Sequence, residues 1–443
     1  MSTDMGSTIK RRDFWSAEWS VWAAIAMAVA VRLALTPFAE HPYDMGVNKT
    51  WLRSAVAYGV AASFHKQVES VELPNHGPLE IGLYGLAGLG YQAFVSPDTE
   101  AEAIEPWLTV FTKLPAIFFD VAAALAVLIA CRRLTTEKRA RLWALATLAH
   151  PAAMYLSSVW GQTDVVYSTL LFASIACLAA SRPGFAGALF AASMLHKPNA
   201  LLFVPIVGLL TLRDLKTFVR FAMAWALVMI ATHLYFLLSG SEWTYLTLLS
   251  SSSDRASGGF GNALNFWRAV FSDGMWGRPA RDACVGSLSC YHIGWGAVCA
   301  LSLPFLWIAW SWKNAAAERW SIVYGAAASV SLAIYLFATG MHERYLFPYV
   351  VLAIPFAQRG WLQATTYWAI SLLYLISIMD HWRPVPWFDP VWSTLLADTS
   401  ARLLVIFGLL HMGLVIRDAW NDRHAEEKPA PKKSTAKAKK VTR

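Results

Sequence analysis

Seven short segments of this 443-residue chain carry side chains able to do chemistry. They are Glu40-His41-Pro42-Tyr43-Asp44, Asn75-His76-Gly77-Pro78-Leu79-Glu80, Trp160-Gly161-Gln162-Thr163-Asp164, His196-Lys197, Gly261–Arg268, Met341-His342-Glu343-Arg344-Tyr345-Leu346-Phe347-Pro348 and Asp380-His381-Trp382-Arg383. A carboxylate placed beside a hydroxyl can take its proton, which typically contributes about 10²–10⁴-fold to a rate. Arg344 offers a planar fork that matches phosphate oxygens. Lys197, just before a proline, offers a point charge. No Gly-rich phosphate loop and no Cys/His spacing for a metal appears. No metal ligand set is assigned, and a divalent ion on Asp44 stays open, with no second carboxylate two residues away.

The elements that must position these groups are apolar. Apolar residues make up 56% of the chain and charged ones 15%, against about 25% charged in soluble domains. This excludes a disordered chain, and five cysteines are too few for a disulfide scaffold. The apolar residues come in long blocks, which counts against a soluble enzyme. The 22 tryptophans suit a membrane interface, where one end of the ring is wet. A helix needs about 20 mostly apolar residues to cross a bilayer. Twelve runs qualify: 19–38, 107–130, 141–159, 164–181, 184–196, 199–212, 218–239, 291–312, 320–340, 344–357, 362–379 and 397–416. The pieces 184–196 and 199–212 are short and read either as two helices or as a re-entrant pair. The expected fold is an all-α, polytopic transmembrane bundle of about twelve spans. Its transmembrane domain covers 19–416, and its long first outer loop, 39–106, contains interfacial or re-entrant helix 79–95. A second large outer loop covers 240–290.

Charge sets the expected sidedness. With residues 1–18 cytoplasmic, the inside segments hold 24 of the 37 Lys and Arg, as the positive-inside rule asks. The first apolar run is too long for a signal peptide and reads as an uncleaved anchor. Residues 417–443 read as a basic, disordered cytoplasmic tail that reinforces topology or touches anionic lipid; nucleic acid is not an expected partner. On this layout the seven polar segments gather at the outer face. Charges at membrane depth are costly and usually face a cavity. The pattern suggests a cavity open at the lipid boundary, where a polar substrate on a lipid carrier would be met.

Three segments carry a family resemblance. His150-Pro151-Ala152-Ala153 followed by Trp160-Gly161-Gln162-Thr163-Asp164, Lys197-Pro198-Asn199-Ala200, and Met341–Pro348 resemble motifs of the GT-C superfamily of integral-membrane glycosyltransferases. The closer likeness is to the bacterial group related to the second GPI mannosyltransferase, and Lys113–Asp120 is similar to that group's second span. The chain departs from the pattern at His150, where Asn is common, and at Asn75–Pro78. The resemblance implies transfer of a sugar, mannose favoured, from a polyprenyl-phosphate donor to a hydroxyl of a glycolipid, glycan or protein. It implies no cofactor beyond the lipid-linked donor. It further implies an integral protein of a bacterial cytoplasmic membrane, both termini inside and the active site outside. Asp44 is the expected general base, with Glu40 as understudy. Arg344, His342 and Lys197 are the expected donor-phosphate contacts. Trp160, Gln162, Asp164 and Glu343 are expected at the sugar or acceptor.

Plain alternatives stand beside each role. Asp44 is equally a loop or helix-cap residue by position, Arg344 a snorkelling interfacial cation, and Trp160 a belt residue. A secondary transporter also has about twelve spans, but places polar groups at the midplane in paired repeats. A lipid-linked sugar flippase or a non-catalytic subunit would not need Asp44 and Arg344 together. Two further pairings are expected. Arg32 and Asp120 each fall roughly 10 Å inside their spans at 1.5 Å per residue, so they can form a structural ion pair. Cys284 and Cys290 could form a disulfide in an oxidising compartment.

Overall fold

The computed structural model describes residues 22–69, 72–95, 101–256, 261–271, 283–312, 316, 319–384 and 394–427. The expected cytoplasmic segment 1–18 and the tail beyond 427 lie outside the described residues. The described chain is almost wholly helical, as expected; its one hairpin pairs Ala283–Val285 with Leu288–Ser289. That hairpin leads into Cys290, which is disulfide-bonded to Cys284.

The helices in chain order are α1 (Trp22–Leu35), α2 (Pro42–Tyr58), α3 (Pro78–Phe94), α4 (Ala101–Cys131), α5 (Glu137–Leu148), α6 (Pro151–Met154), α7 (Asp164–Ala179), α8 (Pro183–His196) and α9 (Val204–Thr211). Then follow α10 (Leu215–Leu238), α11 (Tyr245–Ala256), α12 (Phe266–Phe271), α13 (Cys290–Trp312), α14 (Trp320–Phe337), α15 (Phe347–Leu352), α16 (Ile354–Ala357), α17 (Trp361–His381) and α18 (Thr394–Glu427). Among the described residues, six stretches are long and apolar enough to cross a membrane: Glu105–Cys131, Leu215–Leu238, Cys290–Trp312, Trp320–Phe337, Trp361–His381 and Leu396–His424. The protein is an integral membrane protein.

Several of the twelve apolar runs are broken helices. The run 141–159 divides into α5, α6 and a wider π turn, Tyr155–Trp160. Pro151 has no N–H to give and keeps His150 extended, at φ −64° and ψ 120°. The run 199–212 opens as a 3₁₀ turn, Pro198–Phe203, after extended Lys197, so 184–212 is two helices around a break. The run 344–357 becomes a 3₁₀ turn, Glu343–Leu346, then α15 and α16, each with a proline in its first turn. Interrupted backbone of this kind is tolerated at membrane depth where protein surrounds it or a cavity adjoins it. At the far end α18 runs on to Glu427, past the expected boundary at 416, because Arg359 holds Asp422 (2.9 Å) and Asp418 (3.3 Å) from its neighbour's side.

The first long connector does contain helices, α2 and α3, each opened by proline at the position where a missing N–H costs nothing. Gly77, before α3, lies against α8: a Cβ there would fall 1.9 Å from the Leu195 carbonyl oxygen. The interior is organised around α14. Its apolar window is 94% buried, whereas that of α10 is 17% buried. Small residues from Gly325 to Ser331 let neighbours approach; a Cβ on Gly325 would sit 2.9 Å from the Phe356 ring and 3.0 Å from Val415. Arg32 and Asp120 form the expected ion pair, Nε to Oδ2 at 2.8 Å, and Ser157 donates to the same oxygen at 2.6 Å.

Candidate active site

After α1 the chain turns and reaches His41, the N-cap of α2. Asp44 stands in the first turn of that helix, where unpaired N–H groups favour a negative charge. It is therefore neither a loop residue nor the cap itself. The His41 Nδ1 accepts from the Asp44 backbone N–H at 3.3 Å. The second piece comes from the end of the π turn. Gly161 adopts φ +98°, a left-handed conformation that turns the chain between Trp160 and Gln162. Trp160 Nε1 and Gln162 Nε2 both donate to Asp44 Oδ2, at 2.6 and 2.7 Å. Among the described residues Oδ1 has no hydrogen-bond donor, so one carboxylate oxygen is held and the other is left open.

The cations come from two other elements. Lys197, at the break between α8 and the 3₁₀ turn, donates to Asp164 Oδ1 at 2.7 Å. Asp164 opens α7, and its Oδ2 lies 3.9 Å from Arg344 Nε. Arg344 Nη1 donates to Glu343 Oε1 at 2.9 Å. The Tyr345 ring lies 5.7 Å from the Arg344 guanidinium and 5.2 Å from Lys197 Nζ, within cation–π range. Tyr374 fixes the backbone by donating to the Arg344 carbonyl at 2.8 Å. Among the described residues Arg344 Nη2 has no partner.

Electrostatics joins the two halves. Burial pushes the Asp44 carboxyl up, but the Arg344 charge, the Trp160 and Gln162 hydrogen bonds and His41 outweigh it and hold the group below its usual range. Burial, then Arg344, Lys197 and His381, push His342 down to about 4, against a weaker pull from Glu343; it is a neutral imidazole at neutral pH. Burial likewise lowers His41. Glu343 is pushed up by burial and brought below its usual range by Arg344, His381 and His342.

All eight candidate residues thus meet in one cluster, 300 residues of sequence folding Asp44 and Arg344 within reach of each other's charge. Their layering differs from the expectation. Trp160 is 0% exposed. Its ring runs parallel to His41 (4.7 Å) and His381 (5.7 Å) and meets Tyr155 and Trp382 edge-on, so no ring face is open to a sugar. Gln162, Asp164 and Glu343 are also buried; Gln162 Nε2 goes to Asp44, Asp164 Oδ1 to Lys197 and Glu343 Oε1 to Arg344. Lys197 is 1% exposed and committed to Asp164. Glu40, the understudy, is held by Lys49 at 2.9 Å and by Thr109 at 2.7 Å. His342 stays partly open, its side chain 42% exposed.

Besides His41, three neighbours had no role in the sequence reading. His381 and Trp382, at the end of α17, wall the site beside His41; only their place in a polar segment pointed to them. Glu80 lies buried behind Lys197, receiving Thr163 Oγ1 at 2.6 Å, with His76 Nδ1 at 2.6 Å. Among the described residues no group of three His, Cys, Asp or Glu has the geometry to hold a metal.

Residues 106–339 match glycosyltransferase family 87. The matched stretch begins after Asp44 and ends before the Met341–Pro348 segment. No curated protein matches the sequence. Two solved structures are similar across most of the chain. One is ArnT from Cupriavidus metallidurans, bound to undecaprenyl phosphate: 14% identity, 94% of this chain and 81% of that one covered, TM-score 0.47. The other is the Archaeoglobus fulgidus oligosaccharyltransferase tethered to an acceptor peptide: 10% identity, 91% and 55% covered, TM-score 0.39. The family match spans more than half of the sequence and agrees with the GT-C likeness of its motifs: the chain belongs to glycosyltransferase family 87 and is a membrane glycosyltransferase.

Proposed function

We propose that this enzyme transfers a sugar, mannose-like, from a polyprenyl-phosphate donor to a hydroxyl acceptor at the outer face of a bacterial cytoplasmic membrane. The observation that carries the proposal is the pair of open atoms in one cluster: Asp44 Oδ1, whose partner oxygen is fixed by Trp160 and Gln162, and Arg344 Nη2, whose other nitrogens face Glu343 and Asp164. In this reading the acceptor hydroxyl gives its proton to Asp44 Oδ1. Its oxygen forms the new bond to the sugar's anomeric carbon. The bond from that carbon to the phosphate oxygen breaks, and polyprenyl phosphate leaves with the electron pair. Arg344 meets the charge that develops there, where preorganised donors in a low-dielectric site are worth most. His342 adds a neutral N–H donor. Lys197 acts through Asp164, which orients the guanidinium, and Gln162 and Trp160 act through Asp44. The acceptor is a glycolipid, a glycan or a protein.

Two features support the lipid-linked substrate and the sidedness. An apolar cavity of about 500 Å³ opens between α3, α8 and α10, lined in part by Pro78, Leu79 and Leu195, the residues next to Glu80 and His196. The start of α13 packs on the end of α14, a Cβ on Gly294 falling 2.4 Å from the Phe337 oxygen. The Cys284–Cys290 disulfide and Arg344 therefore occupy the same end of the bundle, and disulfides persist on the oxidising side of a membrane. Termini at the opposite side complete this reading. The test is transfer by purified protein in detergent from a panel of polyprenyl-phosphate sugars, with Asp44→Asn beside the wild type. Turnover from one donor, lost by at least about 10²-fold in the variant, is expected. Unchanged turnover in Asp44→Asn removes Asp44 from the chemistry, and no turnover from any donor removes the donor class.

A further inference from the structure

Lys113 lies in α4, fully buried, and the proposed chemistry does not use it. Its ammonium donates to four backbone carbonyls: Thr36 at 2.9 Å, Ala39 at 2.5 Å, Ser158 at 3.0 Å and Val159 at 3.0 Å. Three protons serve four acceptors, so at least one N–H is shared. No carboxylate pairs with it among the described residues.

The four carbonyls belong to two chain segments that both end helices. Thr36 and Ala39 lie in the turn after α1 that leads to His41 and Asp44. Ser158 and Val159 lie at the end of the π turn that leads to Trp160 and Gln162. The carbonyl end of a helix carries partial negative charge. Two such ends set face to face repel, and a buried cation between them draws them together. The junction it closes is the one across which Asp44 receives its two side-chain donors. Weaker ties cross the same junction: His41 N donates to the Trp160 carbonyl at 3.3 Å, and Asn48 Nδ2 to the Gly161 carbonyl at 3.2 Å. The close approach extends to Gly161, where a Cβ would lie 3.4 Å from Lys113 Cε.

We propose that Lys113 is the positioning residue for Asp44, a cation that fastens the segment carrying the carboxylate to the segment carrying Trp160 and Gln162. The proposal rests on Asp44 being the base, and touches neither donor nor acceptor directly. Two readings on the full-length protein in detergent test it, with Lys113→Met as the variant. The first is amide hydrogen exchange, which is independent of activity. Exchange is expected to quicken by about tenfold or more in peptides covering 36–46 and 155–163 and to hold elsewhere. The second is the acid limb of the kcat/KM profile. As Asp44 loses the hydrogen bonds that favour its charged form, the limb is expected to move to higher pH while kcat falls roughly 10–100-fold, the scale of an ångström-level misplacement. Unchanged exchange in those peptides, or a kcat loss with an unmoved limb, overturns the proposal. Should Lys113→Met not purify as a monodisperse protein, the same readings on Lys113→Gln decide. Full turnover in Asp44→Asn would instead defeat the base assignment, and the exchange result would still judge the fastening role.

Discussion

Replacing Gly161 by alanine strikes the junction at its tightest point. The residue holds φ +98° and ψ 27°, a conformation that costs an L-residue about 1–2 kcal/mol. The new Cβ would also fall 2.1 Å from Met45 Sδ and 3.0 Å from Met45 Cγ. Met45 is fully buried, so the thioether has no solvent to swing into, and overpacking of this kind costs about 1–3 kcal/mol. The backbone strain and the clash together therefore cost about 2–5 kcal/mol, and less where one backbone shift relieves both. That shift carries Trp160 and Gln162 away from Asp44, so turnover falls by roughly 10–100-fold as well. SDS-titration unfolding in mixed micelles measures the stability part. A cycle with Met45→Ala isolates the steric part. Met45→Ala alone costs about 2–5 kcal/mol through its cavity, and the double variant is expected to lose less than the sum by about 1–3 kcal/mol. A Gly161→Ala protein within about 0.5 kcal/mol of wild type, or a strictly additive cycle, would refute the claim that the glycine is there for close approach.

Arg344→Gln is expected to lower kcat by roughly 10²–10³-fold, as loss of a charge-stabilising donor does. Arg344→Lys should fall between, because an ammonium keeps the charge and loses the fork; equal activity of the two variants would count against phosphate contact. Asp44 and Glu343 titrate below their usual values of 3.8 and 4.5, so the stability they contribute is present above those values and lost as pH falls through the lower folded ones. Activity governed by them should stay level down to about pH 4.5 and fall only below it. His342 is pushed down to about 4; the unfolded chain binds the extra proton between there and 6.5, so this residue's share of stability falls as pH drops through that window. A kcat/KM step near pH 6.5 that disappears in His342→Gln would contradict its neutral state. Breaking the Arg32–Asp120 pair from one side, by Arg32→Met or Asp120→Asn, should cost about 3–5 kcal/mol, and the double variant less than the sum, as unfolding titrations would read. In intact cells Cys284 and Cys290 should react with an impermeant maleimide only after an impermeant reductant; labelling that needs permeabilisation would reverse the proposed sidedness.

Much of the site was legible from residue type and grouping. Arg32 and Asp120 were paired by equal depth in two apolar runs, and Cys-x₅-Cys anticipated a bond that is present. Asp44, Asp164, Lys197 and Arg344 were grouped correctly because charge in an apolar chain has few places to go. Their layering was not legible. Trp160 and Asp164 look alike in a motif string, yet the left-handed turn at Gly161 sends the Trp160 indole N–H to Asp44, while Asp164 faces the cations. A motif gives identity without depth, so four residues expected at the sugar lie beneath the two that meet open space. Lys113 was invisible as a fastener because its partners are backbone carbonyls, which every residue has. The breaks inside 141–159 and 344–357 escaped for a related reason: hydropathy runs smoothly through Pro151 and Pro355, while hydrogen bonding does not.

The contrast between α14 and α10 bears on how the chain can be assembled. A hydrophobic segment normally leaves the insertion machinery into lipid, yet α14 finishes with almost none of its surface touching lipid. When α14 emerges from the ribosome, α15–α18 have not been made, so the side at Gly325 that meets Phe356 and Val415 waits uncovered. A chain cut short before α15 would carry that side permanently bare, a close-fitting surface for other helices, and quality-control proteases should clear such fragments while the full-length protein persists.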